Sequence, residues 1–482
     1  MLRFVGSTFL LVLVVLGLSA AAPPAASATA VWQKAARELE LLTSYSAAVD
    51  LYERLADIQP QNPDPLVAIG NIYLRQANWP MAIDAFNRAL ARQPNHPAAL
   101  KGMGAAFWGT TENDRAINAW RLALAIQPDD FDTQKRLGHA LIDQGNLTQG
   151  IKIFETLLSQ VDSSPTAALL SEAPSARIEL DLAIAEAATD PSRALARLQS
   201  MTIAAPSTTE EIRQYLVTSL SRATQASEPA DQAKFTGISL TQMQAWAPAA
   251  EALRKAVSLR PDDAEATAFL GYAESRRGRP AYDYLTAATD LEPDNWVGHY
   301  FLGQYLVEAG LPAQGIDELE QSMSLTPDNP TILVTLSAAH LALGDYAAAE
   351  TSLKQAVSLA PADLDLHKRL VNFYANTSLH ATDNGLAAAL TAAKLAPEDP
   401  ELQDALGWIY LLAGDTNQSF LHLYTAWQLD PDRASIYYHL GQLYQINGQE
   451  ETAASAFRRA VELDDSGEYR ARARKALQEQ AQ

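Results

Sequence analysis

The chain contains no cysteine. That absence removes a disulfide framework, a thiolate metal site, a cysteine nucleophile and a lipidated cysteine. Basic residues are scarce as well: 36 lysines and arginines stand against 57 aspartates and glutamates, a formal charge of -21. A phosphate backbone needs a basic stripe to displace its counterions, so no nucleic-acid partner is expected and the acidity reads as solubility. The eight histidines are His96, His139, His299, His340, His367, His380, His422 and His439, and no two lie three or four apart. A helix therefore cannot turn a pair of them toward one zinc ion. No G-x-S-x-G elbow, G-x-x-x-x-G-K-[ST] phosphate loop or calcium loop of alternating aspartates occurs. Gly102 and Gly104 mimic part of a dinucleotide loop but fall within a helical pattern instead of after a strand. No catalytic residue, metal or cofactor is expected.

Long apolar runs are confined to the N-terminus. Arg3 is the only charged side chain before Lys34, and Phe9 to Leu18 is continuously apolar if Gly17 is included. A positive start, a short apolar core and the small-x-small series Ala26-Ser27-Ala28 and Ala28-Thr29-Ala30 describe a secretory signal over residues 1–30, cut after Ala28 or Ala30. The alternative is an uncleaved anchor, because Phe4 to Ala22 approaches the roughly 20 residues of a membrane span. In either case the positive end stays inside and the remainder lies outside the cytoplasm, in the periplasm, on the cell surface or secreted. Membrane contact is expected only if this segment is retained.

What the sequence has in quantity is punctuation. Of its 25 prolines, those at 60, 94 and 128 are 34 residues apart, and those at 261, 293, 327, 361, 397 and 431 follow at spacings of 32, 34, 34, 36 and 34. Each proline ends a helix, because its ring cannot continue one and it has no amide hydrogen to donate. Two residues later stand Asn62, Asp130, Asp263, Asn295, Asn329, Asp363 and Asp399, side chains suited to accept from the open amides of the next helix. Pro63, Pro97, Pro330 and Pro400 then occupy first helical positions, where a missing amide hydrogen loses nothing.

With the proline as position 32, repeats begin at 29, 63, 97, 131, 230, 264, 296, 330, 364, 400 and 434. Position 20 is small throughout: Ala48, Ala82, Ala116, Gly150, Ala249, Ala281, Gly315, Ala349, Gly385, Ser419 and Ala453. Position 24 is large except at Ala389: Tyr52, Phe86, Trp120, Phe154, Leu253, Leu285, Leu319, Leu353, Leu423 and Phe457. Position 8 is glycine at 70, 104, 138, 237, 271, 303, 407 and 441, although glycine inside a helix costs about 1 kcal/mol against alanine. Small residues at 8 and 20 let two helices approach closely, and the large residue at 24 fills the space beside them.

This pattern resembles the tetratricopeptide-repeat family, which is small at positions 8 and 20, bulky at 24, and has alanine at 27 and proline at 32. The resemblance implies an all-α fold, an alpha-alpha solenoid whose helix-turn-helix repeats wind into a right-handed superhelix. Four repeats span 29–162 and seven span 230–467. Between them, 163–229 reads as an irregular helical connector in which Ala194, Leu198, Met201 and Pro206 preserve one degenerate repeat; 468–482 reads as a capping helix. The basic run Arg470, Arg472, Arg474 and Lys475 in that helix reads as a solvated surface.

In the family the first helix of each hairpin lines the concave surface through positions 2, 5, 6, 9, 12 and 13. Carried onto this chain, the resemblance implies a groove formed by Phe269, Tyr272, Tyr300, Phe301, Gln304, Lys368, Arg369, Asn372, Trp408, Tyr438, His439 and Gln442. Lys101, Lys135, Arg136 and His139 form a second, more basic candidate in the N-terminal array. Lys368 and Asn372 match part of the family's carboxylate clamp, but the next repeat departs from it with Asp404 and Trp408. The expected function is a scaffold binding a protein or peptide partner outside the cytoplasm. The alternative is an architectural subunit of an envelope export or assembly machine.

Overall fold

The computed structural model describes residues 25–42, 44–162, 174–203, 207–464 and 467–480. Most of the expected signal segment, residues 1–24, lies outside the described residues, as do Pro206 of the degenerate repeat and the chain from 163 to 173. Every regular element among the described residues is a helix. No helix there is long and apolar enough to cross a membrane.

The chain divides into two units, the first ending at Leu259 and the second beginning at Arg260. The first unit holds four hairpins: Ala25–Leu41 with Tyr45–Ile58, Asp64–Arg75 with Trp79–Arg92, Pro97–Gly109 with Asn113–Ile126, and Phe131–Gln144 with Leu147–Asp162. A shorter hairpin, Pro174–Ala187 with Pro191–Ser200, a lone helix Thr208–Thr224, and the hairpin Pro229–Gln242 with Trp246–Leu259 complete it. The repeat register alone would begin a new array at 230. Instead, Trp246–Leu259 packs on Phe131–Gln144 and Pro174–Ala187, which places that hairpin with the first unit.

The second unit pairs Ala264–Arg276 with Tyr282–Leu291, Trp296–Glu308 with Pro312–Leu325, and Pro330–Ala342 with Tyr346–Leu359. Leu364–Thr377 with Leu386–Leu395, Pro400–Leu412 with Thr416–Leu429, and Ala434–Ile446 with Glu450–Leu463 follow. A final helix, Glu468–Gln480, lays Ala473 and Ala476 against Phe457. Successive first helices pack on one another directly except between Pro330–Ala342 and Leu364–Thr377, whereas the second helices make their contacts mainly with first helices. The first helices therefore form the inner face of the stack.

The helix starts follow the local chemistry read from the sequence. Asp263 accepts from the Ala266 amide at 2.9 Å, and Asn295, Asn329 and Asp399 each accept from the amide two residues on at 3.0 Å. Asn62, Asp130 and Asp363 do the same at 3.0, 3.2 and 2.9 Å. Each such cap contributes about 1 kcal/mol.

The glycine at position 8 is explained by the residue at 24. A Cβ added to Gly70 would fall 2.5 Å from the Phe86 ring, and one on Gly441 2.5 Å from Phe457. The same partnership holds within each repeat for Gly104 with Trp120, Gly138 with Phe154, Gly237 with Leu253, Gly271 with Leu285, Gly303 with Leu319 and Gly407 with Leu423. Close approach is what the glycine provides, and the apolar area buried across the hairpin offsets its helix propensity.

The 36-residue repeat absorbs its two extra residues in a π-helical turn, Ala381–Gly385, held by one carboxylate. Glu350 accepts from Tyr374 Oη at 2.8 Å, from Asn384 Nδ2 at 2.9 Å, and lies 2.9 Å from His380 Nδ1. Burial alone would raise the Glu350 pKa, but these bonds prevail and hold it below the usual glutamate range. A group with a depressed folded pKa stabilises above its unfolded pKa and loses that contribution as pH falls through the folded value. Acid should therefore loosen 374–385 on falling below about pH 4.5. Hydrogen exchange of this segment across pH 3–6, in parent and Glu350→Gln proteins, checks it: the variant should lose the acid dependence, and an unchanged profile would contradict the assignment.

Candidate functional site

On the inner face of the second unit the expected groove residues form two clusters. In the first, Tyr272 stacks on Phe301 at 4.4 Å and 4°, with Phe269 edge-on to Phe301 at 5.0 Å and Tyr300 tilted at 5.3 Å. Phe301 is 8% exposed and belongs to the apolar core of the neighbouring repeats, so it supports the groove wall from behind. Tyr272 and Tyr300 are half-buried, and burial pushes both phenols above their ordinary pKa. Gln304 donates to Glu308 at 3.1 Å, and Tyr300 shares its hydroxyl with Thr335 of the next first helix at 3.4 Å.

In the second cluster Lys368 is held between Asp399 at 2.6 Å and Glu401 at 3.2 Å, and Asn372 donates to Glu401 at 2.8 Å. The bond to Asp399 raises the Lys368 pKa further, so its charge is permanent but already engaged. The ammonium of the expected clamp is thus answered from within the chain. Arg369 is exposed and pairs one turn back with Asp365 at 2.7 Å. Trp408 anchors its indole by donating Nε1–H to the Ala375 carbonyl at 3.0 Å and stacks on His439 at 4.7 Å and 20°. His439 lies 2.7 Å from Asp404 through Nδ1. Tyr438 leans toward Trp408 at 6.4 Å, and Gln442 sits half-buried one turn beyond it on the same helix.

Of these side chains Asn372, Glu401, Asp404, Trp408 and His439 line a partly open cavity of about 170 Å³ shared by Leu364–Thr377, Pro400–Leu412, Ala434–Ile446 and Glu468–Gln480. The sequence did not reveal Tyr469 as a wall residue, since it lies past the last repeat position. It packs against Tyr438 and, edge-on, against His439, each at 5.7 Å. Burial, then the carboxylates of Asp404 and Glu468, push its phenol up to about 12. Arg472, read from sequence as surface, also reaches this cavity while paired with Glu468 at 2.8 Å.

The basic candidate in the first unit is largely neutralised. Lys101 pairs with Asp132 at 3.0 Å and Asp130 at 3.3 Å, Arg136 pairs with Asp132 at 3.1 Å, and His139 lies 3.2 Å from Asp181. Of the remaining histidines, His299 and His367 each place Nε2 2.9 Å from the proline carbonyl that ends the preceding repeat. Gln403 donates to the corresponding carbonyl of Pro397 at 2.8 Å, and Tyr437 to that of Pro431 at 3.0 Å. Position 4 is therefore a recurrent cap for the turn. No group of three or more His, Asp or Glu side chains among the described residues could hold a metal ion.

Tetratricopeptide-repeat models match residues 43–106, 306–372 and 434–466. With hairpins repeating at this period and this glycine-to-bulky packing, the fold is an all-α solenoid of tandem helix-turn-helix repeats of the tetratricopeptide kind. No curated protein matches it. Among solved structures it is similar to yeast Tom70, at 15% identity over 95% of this chain and 96% of that one, with a TM-score of 0.37. It is also similar to a tetratricopeptide-repeat protein from Parabacteroides merdae, at 14% identity, covering 53% and 99%, with a TM-score of 0.40. The protein TTC0263 of Thermus thermophilus shares 23% identity, covering 38% and 100%, with a TM-score of 0.32.

Proposed function

We propose that this protein is a non-enzymatic scaffold that holds a peptide or protein segment along the first helices of its second unit, outside the cytoplasm. The observation that carries the reading is the series of half-buried aromatics Tyr272, Tyr300, Trp408 and Tyr438 on first helices of the second unit, with a partly open cavity lined by Trp408 and His439. Half-buried aromatics anchored by hydrogen bonds contribute large contact area with little conformational entropy left to lose, and such residues dominate interface energetics. The test is affinity for a co-purified partner. Trp408→Ala and Tyr300→Ala proteins with unchanged circular dichroism should each lose about 2 kcal/mol or more. Affinity within about twofold of the parent for both, a change of under 1 kcal/mol, would remove the site from this face.

Export rests on Arg3, the Phe9 to Leu18 run and the small residues that follow. N-terminal sequencing of the cell-derived protein should find a start at Thr29 or Val31. A protein that keeps Met1 and needs detergent for extraction would establish an anchor instead.

A second reading, an architectural subunit of an envelope export or assembly machine, is favoured by a different surface. On Thr416–Leu429, a second helix, Phe420, Leu421 and Tyr424 are 45%, 54% and 43% exposed. Phe420, Tyr424 and Trp427 stack in series at 5.9 and 5.6 Å. A broad contact on that outer face would leave the groove variants without effect.

A further inference from the structure

We propose that the cavity between Pro400–Leu412, Ala434–Ile446 and Glu468–Gln480 seats one basic side chain, lysine or arginine, of the peptide held in the groove. The inference rests on the groove reading above and adds the chemistry of what enters it.

The buried end of the cavity is defined by His439 and Asp404, whose side chains are 6% and 7% exposed. A carboxylate only accepts, so the ring nitrogen facing Asp404, Nδ1, carries a proton. Nε2, the other ring nitrogen, has no partner among the described residues and is an acceptor whenever the ring carries a single proton. His439 lines the cavity, so a hydrogen-bond donor entering it finds this acceptor beside the Asp404 carboxylate.

Charge points the same way. Lining the cavity are three carboxylates, Glu401, Asp404 and Glu468, against two permanent cations, Arg433 and Arg472. Both are already engaged, Arg433 by Asp430 at 3.0 Å and Arg472 by Glu468 at 2.8 Å, as is Lys368, outside the lining, by Asp399 and Glu401. The surplus is negative, which disfavours an incoming carboxylate or phosphate and favours an ammonium or guanidinium. The walls suit such a group as well, because Trp408 and Tyr469 present aromatic rings, and a cation already sits over Tyr469, where the Arg472 guanidinium lies 5.5 Å from the ring centre.

Size limits the guest to one side chain. The volume of about 170 Å³ is close to the roughly 150 Å³ that admits a benzene molecule. Lysine and arginine side chains are of that bulk, and their apolar stems match the indole while the charged tip reaches Asp404.

The experiment uses the full chain labelled with 5-fluorotryptophan, the Trp408 resonance being assigned from a Trp408→Phe protein. End-blocked glycine pentapeptides with lysine, norleucine or glutamate at the centre are titrated while the fluorine spectrum is followed. The lysine peptide should move the Trp408 resonance at concentrations at least about tenfold lower than either other peptide. Glu401→Gln and Asp404→Asn should each weaken its binding by about fivefold or more, the first serving as the test if the buried Asp404 variant folds poorly. A glutamate peptide binding as well or more tightly, or an unchanged affinity in Glu401→Gln, would overturn the inference. If all three peptides move Trp408 equally, the groove reading stands and the basic guest does not. If none moves it at about 10 mM, both fall.

Discussion

Replacing Phe86 with alanine should lower the stability of the first unit by about 3–5 kcal/mol, the range for truncating a fully buried phenylalanine. Phe86 is 0% exposed, and its ring occupies the space that a Cβ on Gly70, in its own repeat, or on Gly102, in the next, would need. One ring thus joins two hairpins. Neither glycine can extend to fill the void, so the site cannot collapse well and the penalty should lie high in the range. Because repeats couple mainly to their neighbours, protection from hydrogen exchange should fall first in Asp64–Arg75 and Pro97–Gly109. Urea unfolding with residue-resolved exchange measures both. A loss under about 1 kcal/mol, or a loss spread evenly over the chain, would contradict this packing.

Removal of Glu186 should be about as damaging, for an electrostatic reason. This carboxylate is 2% exposed and receives Arg197 Nε at 2.8 Å, Arg197 Nη2 at 2.9 Å and Arg193 Nε at 2.9 Å. It pins the short hairpin Pro174–Ala187 with Pro191–Ser200, where the repeat pattern is weakest. The bond to Glu186 raises the Arg197 pKa, so that guanidinium stays charged whatever happens to its partner. In Glu186→Ala, Arg193, 52% exposed, keeps its pair with Glu155, but Arg197 is only 20% exposed and is left desolvated and unpaired. Breaking a buried pair on one side typically costs about 3–5 kcal/mol, whereas removing both partners costs far less. Glu186→Ala with Arg197→Leu should therefore recover most of the loss. Denaturant unfolding of the single and double variants decides it, and a double variant as unstable as the single would mean that packing, not charge, holds the hairpin.

The repeat was legible because its signals are local and redundant. Proline stops, Asn and Asp caps, and the paired sizes at 8 and 24 act within one hairpin, so their register survives in the linear chain. Position 15 carries a further regularity that a search on packing residues does not find. There the backbone turns left-handed between the two helices, at φ 95° for Gly145, 79° for Gly414 and 72° for Gly448. Its glycines answer to backbone conformation, with nothing near Gly414 or Gly448 for a side chain to meet. Thr111 adopts φ 62° at the equivalent place without that freedom, which is why composition alone does not mark the position.

The candidate site was legible only in part. Position counting assigns Trp408, Tyr438 and His439 to one helix face each, but it treats every repeat alike and cannot tell a wall residue from a core residue. Phe301 and His439 occupy groove positions and are both buried, the first among apolar rings and the second against Asp404. The difference depends on partners 35 residues away in sequence, as with His439 and Asp404. Tyr469 and Arg472 belong to no repeat, so no periodic signal could bring them to the cavity.

The most direct test of the groove as the partner's site is photo-cross-linking from single positions in the cell. Benzoylphenylalanine placed at Tyr438 or Tyr300 on the inner face is compared with the same probe at Phe420 or Leu421 on the outer face, each adduct being identified by mass spectrometry. One partner polypeptide captured from Tyr438 and Tyr300, with little from Phe420 or Leu421, is the expected result; capture of that partner from Phe420 and Leu421 alone would contradict the groove and leave the outer aromatic face as the working surface.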